Sequence, residues 1–91
     1  MSNQPPDRVA RIRARLIASL APTELTVVDD SAAHAGHAGA REGGHYQVLV
    51  RSSRFQGLQP LARHRLVYDA LAPLMGPGGI HALSIDARLP S

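Results

Sequence analysis

Five histidines, His34, His37, His45, His64 and His81, stand in a chain that has ten arginines, no lysine and no cysteine. Any metal chemistry must therefore use imidazole, carboxylate or a thiolate lent by another molecule. His34 and His37 form a His-x-x-His pair inside residues 30–44, a stretch rich in Ala, Gly and His with no hydrophobic period. On a rigid element that spacing would aim two ligands at one point. In a Gly-rich loop it fixes no geometry, so the pair reads either as a metal signal or as part of a polar loop. His64 lies between Arg63 and Arg65 and reads as helix packing with a basic edge. His81 opens an apolar run and, judged on that run alone, reads as a core or strand-end histidine.

Catalytic chemistry finds few candidates. Without cysteine there is no thiol nucleophile, and Ser31, Ser52, Ser53 and Ser84 sit in turn or strand contexts rather than at a strained strand-to-helix elbow. Neither Glu42 nor Asp69 makes a recognisable acid–base pair with a histidine. Gly76-Pro77-Gly78-Gly79 matches the Gly-x-x-Gly of a KH loop, yet it falls between a helix and a strand and carries no basic residue in its middle. The chain is expected not to be an enzyme, and no small-molecule substrate is expected.

The elements that must position these residues follow from hydrophobic spacing. Asp7 can cap a helix in which Val9, Ile12, Leu16, Ile17 and Leu20 recur at intervals of three and four, with Arg8, Arg11 and Arg15 together on another face; it stops before Pro22. Residues 25–29 and 45–51 read as strands, and 30–44 is a long connection between them, of the kind that is functional or disordered. After a turn at 52–57, Pro60 starts a second helix that puts Leu61, His64, Val67, Tyr68, Leu71, Leu74 and Met75 on one side, with an Arg65–Asp69 pair outside. Pro73 falls near its end. A third strand, 80–87, is expected to alternate, with His81, Leu83, Ile85 and Ala87 on one face and Ala82, Ser84, Asp86 and Arg88 on the other.

The order is αββαβ, an α+β architecture. A strand–helix–strand succession calls for a right-handed crossover, making strands two and three parallel, while strands one and two pair antiparallel across the long loop. Both helices then cover one face of a three-stranded mixed sheet. Element order alone is not taken to force the long loop and the start of strand three to one end of that sheet.

At 91 residues, with 44% hydrophobic and 3% aromatic content, the chain reads as one small domain, 7–91, with an aliphatic core and a flexible lead-in at 1–6. Such a domain has little room for an enclosed active site. No signal-like or membrane-spanning apolar run occurs, so a cytoplasmic location and no membrane partner are expected. The net charge of +3 permits an acidic partner without requiring one.

Several segments in series resemble the BolA family. They are Arg11-Ile12 with Leu16; Leu25 to Ser31; His34-Ala-Gly-His37; Gly-Gly-His45-Tyr46; Phe55-x-Gly57; Pro60 to Leu71 with its Arg63-His64-Arg65; and Ile80-His81-Ala82-Leu83-Ser84-Ile85. The similarity runs in order from Asp7 to Pro90. Gly43-Gly44 replaces a polar pair common among relatives, and the longer tail of some members is lacking.

The resemblance implies a class II KH-like fold. It also implies partnership with a monothiol glutaredoxin of the Cys-Gly-Phe-Ser type, as a heterodimer sharing a 2Fe-2S cluster with glutathione. This chain would supply imidazole and the partner sulfur, so the isolated chain is expected to hold no cluster. By that likeness His81 is one donor and His34 the other, with His37 near enough to compete, while His45 and His64 are structural. Some members of the family are described as DNA-binding transcriptional regulators of stress response and cell morphology. That role would rest on Arg63 and Arg65. A metal-free protein-interaction module is a third possibility.

Overall fold

The computed structural model describes residues 8–30, 43–76 and 78–91. The lead-in 1–6, the Asp7 cap, and the loop histidines His34 and His37 lie outside the described residues. Helix α1 (Arg8–Leu20) is followed by strands β1 (Glu24–Asp29) and β2 (Gly43–Arg51), helix α2 (Pro60–Leu71) and strand β3 (Gly79–Arg88). Short 3₁₀ turns at Ser53–Phe55 and Ala72–Leu74 bracket α2. The order is the αββαβ read from the sequence, and the strands lie β1-β2-β3, with β1 antiparallel and β3 parallel to the central β2.

Alternation along β2 decides where the core lies. Tyr46, Val48 and Val50 are buried towards the helices, where they meet Ile12, Leu16 and Leu20 of α1 and Val67, Ala70 and Leu71 of α2. Phe55 and Ile80 close the cluster, and both are fully buried. With one Phe and no Trp, Phe55 is the bulkiest fully buried side chain, and apart from Tyr46 aliphatic packing supplies the rest. The helices thus cover one sheet face, as expected. Leu25, Val27, Leu83, Ile85 and Ala87 are partly buried against the same core because their strands are edges of the sheet.

Two helix faces differ from the expected pattern. Ile17 is 51% exposed, so the buried stripe of α1 is narrower and rests on Ile12, Leu16 and Leu20. On α2, Leu61 is 65% and Tyr68 41% exposed, and His64 is exposed as well. The buried side runs instead through Val67, Ala70 and Leu71, with Leu66 half-buried beside it. Apolar residues are spread around this helix, so spacing alone admitted two faces and tertiary contact selected one. Arg65 and Asp69 are not joined; the ion pairs among the described residues are Arg51–Glu24 at 3.1 Å and Arg88–Asp86 at 2.8 Å.

Helix α1 ends where Ala21 takes a left-handed conformation, φ 43°, with its N–H donating to the Ile17 carbonyl, and Pro22 prevents any continuation. Below that end sits Ser52, the one fully buried polar side chain among the described residues. Its hydroxyl donates to the Leu20 carbonyl at 2.6 Å and accepts from the Arg54 N–H at 3.1 Å. Its own N–H donates to the Arg88 carbonyl at 3.0 Å. One serine therefore joins the end of α1, the end of β3 and the turn into α2.

Among the described residues, no helix is long and apolar enough to cross a membrane. Replacing Ser52 with Ala removes the hydroxyl and leaves the buried Leu20 carbonyl and Arg54 N–H without it. Ser52→Ala is expected to lower stability by about 1–3 kcal/mol in urea unfolding, with little change in slope. A loss within error would show that these groups find other partners.

Candidate functional site

Topology brings His45 and His81 to one end of the sheet. Because β1 is antiparallel to β2, the far end of β1 faces the start of β2; because β3 is parallel to β2, β3 starts there too. Asp30, at one mouth of the loop, donates its N–H to the His45 carbonyl at 2.7 Å. Gly43, at the other mouth, pairs with Gly79. The described ends of the loop and the start of strand three thus meet at one edge, against the expectation that the fold leaves their placement open. One antiparallel and one parallel neighbour of the same strand permit no other arrangement.

His81 reaches this edge through an irregularity. Gly44 pairs with Ile80 and His45 with Ala82, so His81 is an extra residue in the β3 ladder. Ile80 stays fully buried on the helix side, and after the extra residue Leu83, Ile85 and Ala87 return to that side. His81 itself is exposed. The expected face holding His81 with Leu83, Ile85 and Ala87 is therefore corrected at His81, because the bulge breaks strict alternation there. The His81 ring now lies beside that of His45, with centroids 5.4 Å apart and planes tilted 53°. Sequence reasoning assigned His45 a structural role and missed this pairing, since no strand pattern reveals a bulge.

The turn that delivers β3 is tightly built. Gly76 and Gly78 have φ of 105° and 78°, and the Gly76 N–H donates to the Ile80 carbonyl at 3.1 Å while the Gly79 N–H donates back to Gly76 at 3.0 Å. At Gly79 a Cβ would collide with the Leu74 carbonyl oxygen. Arg8 adds a strap, donating to the Gly78 carbonyl at 2.9 Å and to the Tyr46 hydroxyl at 3.2 Å. The position of His81 is thus set by backbone approach on one side and by α1 on the other.

The remaining candidates lie elsewhere. Arg63 donates its Nε to the Leu58 carbonyl at 2.9 Å, which holds the turn before α2, whereas Arg65 is exposed. Both are in the first half of α2, which starts where β2 finishes, away from the histidine edge. The open sheet face carries a shallow depression of about 250 Å³ lined by Thr26, Val28, Gln47, Leu49, Ser84 and Asp86. At its rim the two hydrogen bonds from Arg88, 2.8 and 2.9 Å, hold the Asp86 carboxyl below the usual carboxylate range. No group of three or more His, Asp or Glu side chains suited to a metal ion occurs among the described residues.

Comparison with known proteins gives a consistent result. A family model described as BolA-like protein matches residues 16–91. The chain is 48% identical over 82 residues to BolA-like protein 1 of Homo sapiens, covering 90% of this chain and 58% of that protein. It therefore spans rather more than half the length of that relative. Among solved structures it resembles BolA1 from Arabidopsis thaliana, with a TM-score of 0.80, 36% identity and 96% of each chain covered. It also resembles the BolA domain of SufE1 from Arabidopsis thaliana, with a TM-score of 0.79, 40% identity and 96% of each chain covered.

If the Gly79 close approach sets His81, a single Cβ there must disturb it. Gly79→Ala is expected to cost about 1–3 kcal/mol in denaturant unfolding and to shift the His45 and His81 imidazole proton resonances by NMR, leaving those of His64 unmoved. Unshifted His45 and His81 resonances would mean that the turn does not place the pair.

Proposed function

The chain belongs to the BolA-like protein family, and from that membership we propose that it is a non-enzymatic accessory in iron–sulfur cluster handling, docking on a monothiol glutaredoxin and sharing a 2Fe-2S cluster with it. The observation that carries this reading is an exposed imidazole, His81, presented at the mouth of a histidine-containing loop in a chain with no cysteine. A cluster needs four ligands, and this chain can offer nitrogen donors while the glutaredoxin and its glutathione offer sulfur. The occurrence of a BolA domain in SufE1 of Arabidopsis thaliana supports the same direction.

The donor chemistry fits such a group. His81 lies on an exposed edge and needs no unfolding to meet a partner. His34 is the second donor on this reading, with His37 as its neighbour in the loop. Imidazole in place of thiolate at one iron raises the reduction potential of the bound cluster. The chain's own contribution is to hold His81 through the Gly79 turn and to keep its backbone ordered against Tyr46 and Arg8. Location is proposed as cytoplasmic.

A second reading, DNA binding, is favoured by one observation: Arg65 is exposed on α2 beside exposed His64 and Tyr68, a basic and aromatic surface separate from the histidine edge. There phosphate contact would supply affinity, and Arg63 would act by bracing the turn.

Adding the protein to cluster-loaded glutaredoxin is expected to change the visible absorption and circular dichroism. His81→Ala should abolish that change and His34→Ala should weaken it. A parent-like spectrum with both variants would overturn the ligand assignment. For the second reading, duplex DNA is expected to bind near 50 mM salt and to lose affinity steeply towards about 200 mM, with Arg65→Ala weaker at the lower salt. Absence of salt-sensitive binding at the lower concentration would remove it.

A further inference from the structure

The two edges of the sheet are not alike. Helix α1 packs along β1, where Arg13 donates to the Leu25 carbonyl at 3.2 Å. Strand β3, the longest of the three, has β2 on one side and no strand on the other among the described residues. From Ala82 to Arg88 it carries no lysine, proline or bulge, devices by which edge strands avoid pairing with another chain. Its two charges there, Asp86 and Arg88, are of opposite sign.

Strand parity says which backbone groups reach that edge. The Arg88 carbonyl accepts from the Ser52 N–H on the β2 side at 3.0 Å. By alternation Ala82, Ser84 and Asp86 turn their groups the same way, so the N–H and carbonyl of Leu83, Ile85 and Ala87 point to the open edge. The side chains of these three are half-buried against the core. We propose that this edge is a self-association surface, on which β3 pairs antiparallel with β3 of a second copy about a two-fold axis at Ala87 to make one six-stranded sheet.

Charge selects both the second copy and the register. With Ala87 opposite Ala87, Asp86 faces Arg88 of the second copy and Arg88 faces its Asp86, in non-hydrogen-bonded positions where Cα atoms approach to about 4.5 Å. Within one chain the Arg88 guanidinium already forks onto Asp86 at 2.8 and 2.9 Å. The four groups then alternate in sign, each carboxylate between two guanidiniums. Moving the axis by one residue sets Asp86 against Asp86 or Arg88 against Arg88, and like charges directly opposite are destabilising.

The flanking residues suit this register. Ile85 comes opposite Leu89, which is 39% exposed in one chain. The Leu89 carbonyl accepts from Arg51 at 3.0 Å and keeps a second lone pair for the neighbouring strand. Pro90 comes opposite Ser84, where the ladder asks for no N–H. The two His81 residues lie about 40 Å apart at opposite ends of the paired strands, so self-association leaves both exposed and stands whether or not the cluster reading holds.

Sedimentation velocity of the full chain between about 20 µM and 1 mM tests the surface, since a contact this short belongs in that affinity range. A monomer–dimer equilibrium is expected. Hydrogen exchange at the Ile85 and Ala87 amides should slow as concentration rises, while that at Ser84 and Asp86, already bonded to β2, stays unchanged. Asp86→Arg should weaken association by about tenfold or more, and Asp86→Arg/Arg88→Asp should restore it to within a few-fold of the parent. Circular dichroism checks each fold, and if a variant fails to fold the Ile85 and Ala87 exchange of the parent decides alone. A chain that stays monomeric up to about 1 mM overturns the proposal. So does a dimer indifferent to Asp86→Arg, or one that the double exchange fails to restore.

Discussion

The parallel pairing of β3 with β2 is the constraint on which the rest of the structure depends. A parallel partner must begin at the same end as its neighbour, so the chain has to cross the full length of the sheet between Arg51 and Gly79, and α2 with its flanking turns makes that crossing. The crossing covers the helix side of β2 and β3, while α1 completes the layer. It also commits the start of β3 to the edge where the β1–β2 loop leaves and returns. Core and candidate site are thus two results of one strand direction. The Gly76 to Gly79 turn fits here because the chain must reverse within a few residues and then run against the Leu74 carbonyl, which a side chain at Gly79 would forbid.

The arginines serve this architecture more than their charge suggests. Arg8, Arg13, Arg15, Arg51 and Arg63 each donate to a backbone carbonyl, at Gly78, Leu25, Ala70, Leu89 and Leu58. These carbonyls lie in turns, at helix ends or on an edge strand, where backbone bonding is incomplete. A fork of donors on a long stem reaches such groups better than an ammonium does, which gives a physical sense to a chain that uses Arg and no Lys. Arg88 is engaged with Asp86. The basic surface left for an acidic partner is therefore smaller than ten arginines imply, and Arg65 is its exposed member on α2.

Much of the fold was legible because local and global preferences agree. Pro22 and Pro60 mark real boundaries, and the alternation from His45 to Arg51 marks a strand with one buried face. What was not legible has specific causes. Leu61 and Tyr68 share a helical spacing with Val67 and Leu71, so period alone could not tell which side of α2 meets the sheet; only the position of β2 and α1 decides it. His81 was placed with Leu83 and Ile85 because a strand alternates, and the extra residue that moves it leaves no mark in composition. His45 takes a structural role from the family likeness, and its nearness to His81 depends on the same bulge. The meeting of the loop mouth with β3, by contrast, was available from the element order. It follows from the two strand pairings that the element order implies.

On the proposed reading, a cysteine-free chain that shares a cluster must solve a problem of release as much as of binding. Four protein thiolates make a closed site, which suits a structural ion and resists transfer. An exposed imidazole is a neutral donor on an edge, and beside a second one it fills at most two positions. On the proposed reading the ligands that this chain does not supply come from glutathione and a partner thiolate. An incomplete donor set of the kind proposed suits transfer, because the last ligands to arrive can also be the first to leave. Burial would defeat this, and so would a third fixed carboxylate. The bulge that turns His81 outward, away from Leu83 and Ile85, keeps its imidazole exposed while the core below it stays sealed by Ile80.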